Sequence, residues 1–201
     1  MFFRQFDVAK AIVAANDKSV LTQLEPWLTN ADRHARGNAA FIFAALGDPR
    51  GFDTIVAILR DYSGERKIDH ISDVGLPSLE AQIRDDRYYA AHLLGDLKDP
   101  RAVPILVPFL KDSGVNYIVP WSLGQIGDPS AIPPLIEKLS DSDTNMRVLA
   151  VYALVDLKAT EALPRLRQLF ADDARSNFGK MESVAEAAHA AVDRLQSEPI
   201  R

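Results

Sequence analysis

Apolar residues recur in this chain at steps of three and four, in runs of roughly two turns that a turn residue then interrupts. Val103, Leu106 and Leu110 mark one such face, and Ile132, Leu135 and Leu139 another. The spacing predicts short amphipathic helices, with no stretch of the strict alternation that a half-buried strand needs. The interruptions are themselves regular. Asp99-Pro100-Arg101-Ala102-Val103-Pro104-Ile105-Leu106 returns as Asp128-Pro129-Ser130-Ala131-Ile132-Pro133-Pro134-Leu135, an offset of 29 residues. Ala159-Thr160-Glu161-Ala162-Leu163-Pro164-Arg165-Leu166 follows 31 further on, and Gly47-Asp48-Pro49-Arg50 stands 51 before Lys98-Asp99-Pro100-Arg101.

Each copy has one physical reading. An apolar helix such as Ala90-Ala91-His92-Leu93-Leu94-Gly95 comes first. Aspartate then caps the next helix by accepting from its orphan N–H groups, and proline follows where its missing N–H does no harm. Asp112, Asp141 and Asp172 mark exits into the next unit. Pro104 falls in a first turn; Pro108 and Pro120 lie deeper, and each predicts a kink or irregular helix. Small residues, Ala39-Ala40, Ala90-Ala91, Gly95 and Gly124, allow neighbouring helices to approach closely. One pair cannot bury its apolar face alone, so the pairs must stack.

The expected architecture is all-α: an α-solenoid, a right-handed superhelix of helix pairs in one domain over 1–201. Pairs are expected at about 1–30 (Leu21, Leu24 and Leu28 on its second helix), 31–61, 82–112, 113–141 and 142–172. A loop of about 62–81 interrupts the array, and a helix at about 178–197 caps its end.

The net charge is −5, and the densest basic stretch, Arg66-Lys67, is flanked by Glu65 and Asp69. Duplex binding needs clustered cations, so the balance disfavours nucleic acid. With no cysteine there is no disulfide, thiolate chemistry or cysteine-based metal site. Early charges at Arg4 and Asp7 do not suit a signal peptide, and no apolar run is long enough to span a bilayer. A cytoplasmic protein is expected, with no cofactor and no membrane partner.

The pattern Arg87-x-x-Ala90-Ala91-x-Leu93-Leu94-Gly95-x-Leu97-x-Asp99-Pro100-x-Ala102-Val103-Pro104-x-Leu106 resembles the HEAT-like repeat first described in phycobilisome lyases. The resemblance covers most of 31–172 and is specific for fold, not function. It implies a scaffold for a protein or peptide partner, the role of most members. Others are bilin chromophore lyases, usually two-subunit assemblies, deoxyhypusine hydroxylases or alkylpurine DNA glycosylases. The hydroxylases hold two irons with His-Glu pairs, and none of His34, His70, His92 and His189 precedes a glutamate. The acidic balance weakens the glycosylase reading. A lyase or lyase subunit stands as the alternative, with His92 and Asp96 or Asp156 as acid–base groups.

The resemblance also points to a groove. The position after the Ala-Ala pair is Phe41, His92, Trp121 and Tyr152 in successive repeats, and His189 extends the column in the last helix. Asn38, Tyr88, Tyr89, Asn116, Tyr117 and Ile118 lie just before it; Asp96, Gln125 and Asp156 lie one turn after. Twelve of these form the expected partner surface: Asn38, Phe41, Tyr88, Tyr89, His92, Asp96, Asn116, Tyr117, Trp121, Gln125, Tyr152 and Asp156. Aromatics offer large contact area at low conformational cost, but an aromatic at helical spacing serves an inter-repeat core equally well. Arg36, Arg87 and Arg147 share one position, which suits an arginine–aspartate ladder with Asp112, Asp141 or Asp143 as acceptors.

In the loop, Gly64, Gly75 and Pro77 oppose a continuous helix. Asp69, His70 and Asp73 are metal-ligand types, but nothing fixes their geometry and no metal site is assigned. Ile68, Ile71, Val74 and Leu76 suit a loop packed on a groove edge. No catalytic residue is assigned either.

Overall fold

The computed structural model describes residues 2–62, 79–177 and 182–197, without the side chains of 2–6, 79, 80 and 82. Most of the expected loop, including Asp69, His70 and Asp73, lies outside the described residues, as does the start of the expected capping segment. Among the described residues everything regular is helical, apart from a single antiparallel bridge between Arg175 and Ser183. The contacts fall into two compact units, Met1–Leu97 and Lys98–Arg201.

The first unit holds α1 (Phe2–Ala15), α2 (Val20–Leu24) continued by a 3₁₀ turn Glu25–Thr29, α3 (Arg33–Ala45), α4 (Pro49–Leu59) and α5 (Leu79–Leu97). Asp32 starts α3 by accepting from the N–H groups of His34 (2.8 Å) and Ala35 (3.3 Å). Asp48 starts α4 through the N–H of Arg50 at 3.0 Å. Between them Gly47 turns the chain at φ +87°, a conformation that costs a residue with a Cβ. Phe43, Ile55, Ile58, Leu59, Leu93 and Leu94 then pack α3, α4 and α5 into a fully buried core.

The second unit repeats the device. Asp99 and Asp128 cap through the N–H groups of Arg101 (3.0 Å) and Ser130 (2.8 Å), and Asp143 caps α9 through Asn145 at 2.8 Å. The helices are α6 (Val103–Leu106), α7 (Val119–Ile126), α8 (Ile132–Lys138), α9 (Thr144–Asp156), α10 (Leu163–Arg167) and α11 (Val184–Ser197). Ser183 and Glu186 cap α11 reciprocally, at 2.7 and 3.1 Å, the capping box of a serine followed three residues later by glutamate. Leu106, Leu123, Leu135, Leu139, Met146 and Leu154 form the core.

Proline explains a difference among the second helices. α4 runs unbroken from Pro49, whereas α6, α8 and α10 each restart after a 3₁₀ turn, Pro100–Ala102, Pro129–Ala131 or Thr160–Ala162. Pro104, Pro133 and Pro164 lack the N–H that would bond the carbonyl four residues back; α4 has Asp53 there. Pro108 likewise turns the rest of its segment, Val107–Lys111, into 3₁₀ helix. Pro120 departs from expectation. Residues 113–118 form turns, the helix begins at Val119, and Pro120 sits in its first turn with no kink to make.

Arginines brace the junctions through carboxylates and backbone carbonyls. Arg33, which is 3% exposed, donates from Nε and Nη2 to Asp61 at 2.9 and 2.7 Å. Arg147 meets Asp172 at 2.8 Å and reaches the Asp141 carbonyl at 2.8 Å. Arg36 makes the equivalent bond to the Asn30 carbonyl at 2.7 Å, and Arg87 bonds the Leu59 carbonyl at 2.8 Å while stacking on Tyr62. Asp143 does not serve as a ladder acceptor here, because its carboxylate caps α9 and receives the Tyr117 hydroxyl.

Two outcomes test this account. A Cβ on Gly51 would lie 2.2 Å from the Ala40 carbonyl oxygen and 2.3 Å from the Ala44 nitrogen. Gly51→Ala therefore destabilises by about 3 kcal/mol, the upper end for overpacking, read as a fall in chemical-denaturation midpoint. Lys98 holds φ +53° without being glycine, so Lys98→Gly raises stability in the same assay, by about 0.5–1 kcal/mol.

Candidate functional site

The expected partner-binding residues divide between the units, and the structure treats them differently. In the first unit Phe41 and Tyr89 are 5% and 3% exposed, and Asn38 is 9% exposed. They belong to the core rather than to a surface. The reason is polar as well as apolar. The Tyr89 hydroxyl donates to Asn38 Oδ1 at 2.5 Å, and its ring stacks on His34 at 4.4 Å, so α5 closes over α3 at this point. Burial pushes the Tyr89 phenol well above its ordinary range.

The outer side of α5 stays accessible. Tyr88 is 41% exposed. His92 is half-buried, with Nδ1 3.1 Å from Asp96 Oδ2, and Lys10 of α1 approaches the same carboxylate at 3.7 Å. His92 and Asp96 thus lie within contact distance on one face of α5, four residues apart.

In the second unit Asn116, Tyr117, Trp121, Gln125 and Tyr152 are half-buried, and Asp156 is exposed. Tyr117 donates to Asp143 and Tyr152 to Glu182. Ile118 is buried in the core. α7 and α9 approach closely at Gly124, where an added Cβ would touch Asp156 Cβ and Oδ2 at 3.3 Å. α11 also packs against α9. His189 departs from the column and stacks on Phe170, with ring centroids 3.7 Å apart.

Between α9 and α11 lies an open groove of about 490 Å³. Val151, Val155, Ala187, Ala190 and Ala191 give it apolar lining; Tyr152, Asp156, Glu182 and Arg194 give it polar lining. Tyr152 and Asp156 are among the residues expected on a binding face; Glu182 and Arg194 are not. The signal was the alanine run of α11, which leaves room where bulky residues would close the gap. A depression of about 370 Å³ at the Arg147–Asp172 junction is lined by groups already tied to one another.

Two overlapping matches to a family model of HEAT repeats cover residues 76–137 and 114–178, together just over half of the chain. The chain belongs to the HEAT-repeat family. Its HEAT helix pairs are also similar to a solved structure of the complex of CpcE and CpcF of phycocyanin lyase from Nostoc sp. PCC7120. The identity is 23%, with a TM-score of 0.56, over 89% of this chain and 66% of that one. The chain thus spans just under two thirds of that relative's length. An engineered protein (18% identity, TM-score 0.49, over 94% of this chain and 84% of that one) is a more distant likeness. So is human deoxyhypusine hydroxylase in complex with glycerol (15%, TM-score 0.46, over 98% and 81%). No curated protein matches the chain. Among the described residues no helix is long and apolar enough to cross a membrane.

The groove walls push the Asp156 carboxyl above its ordinary value of 3.8, against the pull of Arg194. A carboxyl raised on folding is most stable protonated, so its cost appears as pH rises from the unfolded value through the folded one. Asp156→Asn therefore raises the thermal midpoint at pH 7 and leaves it unchanged at pH 3, checked by calorimetry at both.

Proposed function

We propose that this HEAT-repeat protein is a non-enzymatic scaffold that holds a protein or peptide on the helix face carrying Trp121, Gln125, Tyr152 and Asp156. The observation that carries the reading is the fate of the large side chains. The core of the second unit closes on Leu123, Met146 and Leu154, leaving Tyr117, Trp121 and Tyr152 half-buried. Aromatics kept partly accessible on a packed helical framework are the usual anchors of protein interfaces. In the first unit Tyr88, His92 and Asp96 are the accessible members of the same set, and Phe41, Asn38 and Tyr89 support them from within.

A second reading, a chromophore-lyase-like enzyme or a subunit of one, is favoured by one observation, the His92–Asp96 contact. Such a pair suits general acid–base chemistry.

The scaffold reading is tested by affinity capture from the native host with the full chain and a Trp121→Ala, Tyr117→Ala variant. The variant loses at least about tenfold of the captured partner, as loss of two anchors demands, while its far-ultraviolet circular dichroism is unchanged. Undiminished capture by the variant overturns the assignment. Co-expression with a bilin and its acceptor subunit reads the alternative, which requires a coloured adduct.

A further inference from the structure

We infer that the groove between α9 and α11 is a socket for a basic side chain, lysine or arginine, of a bound protein segment. The inference rests on the partner-binding reading and names the chemistry recognised at one place within it.

The groove combines two features that a basic side chain needs. Its apolar part comes from Val151, Val155, Ala187, Ala190 and Ala191. An aliphatic stem packs on such a surface while its charged head stays at the wet edge. The polar part holds two carboxylates, Asp156 and Glu182, against one guanidinium, Arg194. The balance favours a cation over a neutral or acidic group. Tyr152 adds a half-buried ring, and its hydroxyl is directed to Glu182. That hydrogen bond fixes the glutamate in place before any ligand arrives. The groove, of about 490 Å³, has room for such a side chain.

The local structure is built to hold this shape. Ser176 donates to the Glu182 carbonyl at 3.1 Å and Val184 to the Ala174 carbonyl at 3.0 Å, so Glu182 is pinned where the chain enters α11. The Ser183–Glu186 capping box sets the direction of α11 immediately afterwards. Asp156 faces Gly124 on its other side, where only a residue without a Cβ leaves it room. The backbone bonds thus set where Glu182 leaves the chain, and the Tyr152 hydroxyl holds its carboxylate.

The test is a chemical-shift titration of the uniformly ¹⁵N-labelled full chain with four capped single residues: N-acetyl, N-methylamide derivatives of lysine, arginine, norleucine and glutamate. The lysine or arginine probe is expected to give saturable shifts at the amides of Val151–Asp156 and Ala187–Arg194. The norleucine and glutamate probes are expected to give none. Asp156→Asn and Glu182→Gln each weaken the basic probe at least about tenfold, as loss of a charged hydrogen-bond acceptor does. Arg194→Gln tightens it, a direction that a variant merely damaging the fold cannot produce. Shifts as large with norleucine, no saturable shift with either basic probe, or an unchanged affinity in both carboxamide variants overturns the inference. Capture that depends on Trp121 and Tyr117 would survive such a failure, so the two readings fail separately.

Discussion

The structure depends on how closely two helices can cross at the start of each second helix. Gly51, Ala102, Ala131 and Ala162 each lie three residues after the capping position, and all four are buried. Gly51 shows how tight the crossing is, since a Cβ would press into the backbone of α3 at Ala40 and Ala44. Interiors packed at crystal density do not absorb such an atom by local adjustment. The aspartate cap and the left-handed residue before it aim the second helix at that crossing. Gly47, Gly127, Lys98 and Lys158 all take positive φ there. Where glycine is absent, lysine accepts the strained conformation, so the geometry outranks residue preference.

Once the crossing is set, the polar groups at each junction have few options. Backbone carbonyls at the exits must find donors, because buried and unpaired they would destabilise the fold. Asn30, Asp112, Asp141 and Asp172 each turn the chain by accepting the N–H two residues on, at 2.8, 3.0, 3.0 and 3.2 Å. Arg36 and Arg147 then bond the carbonyls of Asn30 and Asp141. The arginine column is thus a device for satisfying the backbone, with the Asp172 carboxylate as a further acceptor of Arg147 and Asp61 taken by Arg33 beside it.

Much of this was legible in the sequence, because it is local. The Asp-Pro caps, the small residues and the three-and-four spacing each act within a few positions of themselves. Pro120 was misread because its helix starts only at Val119, a boundary that the turns over 113–118 set without any strong breaker. Phe41 and Tyr89 were ambiguous for a deeper reason. Whether an aromatic faces core or solvent depends on its neighbour in the next helix, and Asn38 became the Tyr89 partner at a separation of 51 residues. Arg33 with Asp61 was missed for the same reason. The groove required knowing that α11 lies beside α9 with its alanines inward, a relation that no local pattern encodes.

Asp156 differs from the capping aspartates in the direction its surroundings push it. Asp48, Asp99 and Asp128 sit at helix N-termini, and hydrogen bonds from Arg50, Arg101 and Ser130 hold their carboxyls below the ordinary value. Their charge stabilises the fold. Asp156 is the last residue of α9, at the negative end of the helix dipole, and partial loss of hydration beside the groove walls moves its carboxyl the other way. Asp96 occupies the matching place near the end of α5, where His92 and Lys10 compensate it. Across the groove from Asp156 stands Arg194, which moderates the shift without reversing it. A carboxylate whose charged form the fold disfavours gains more from a nearby cation than one already satisfied at a helix cap.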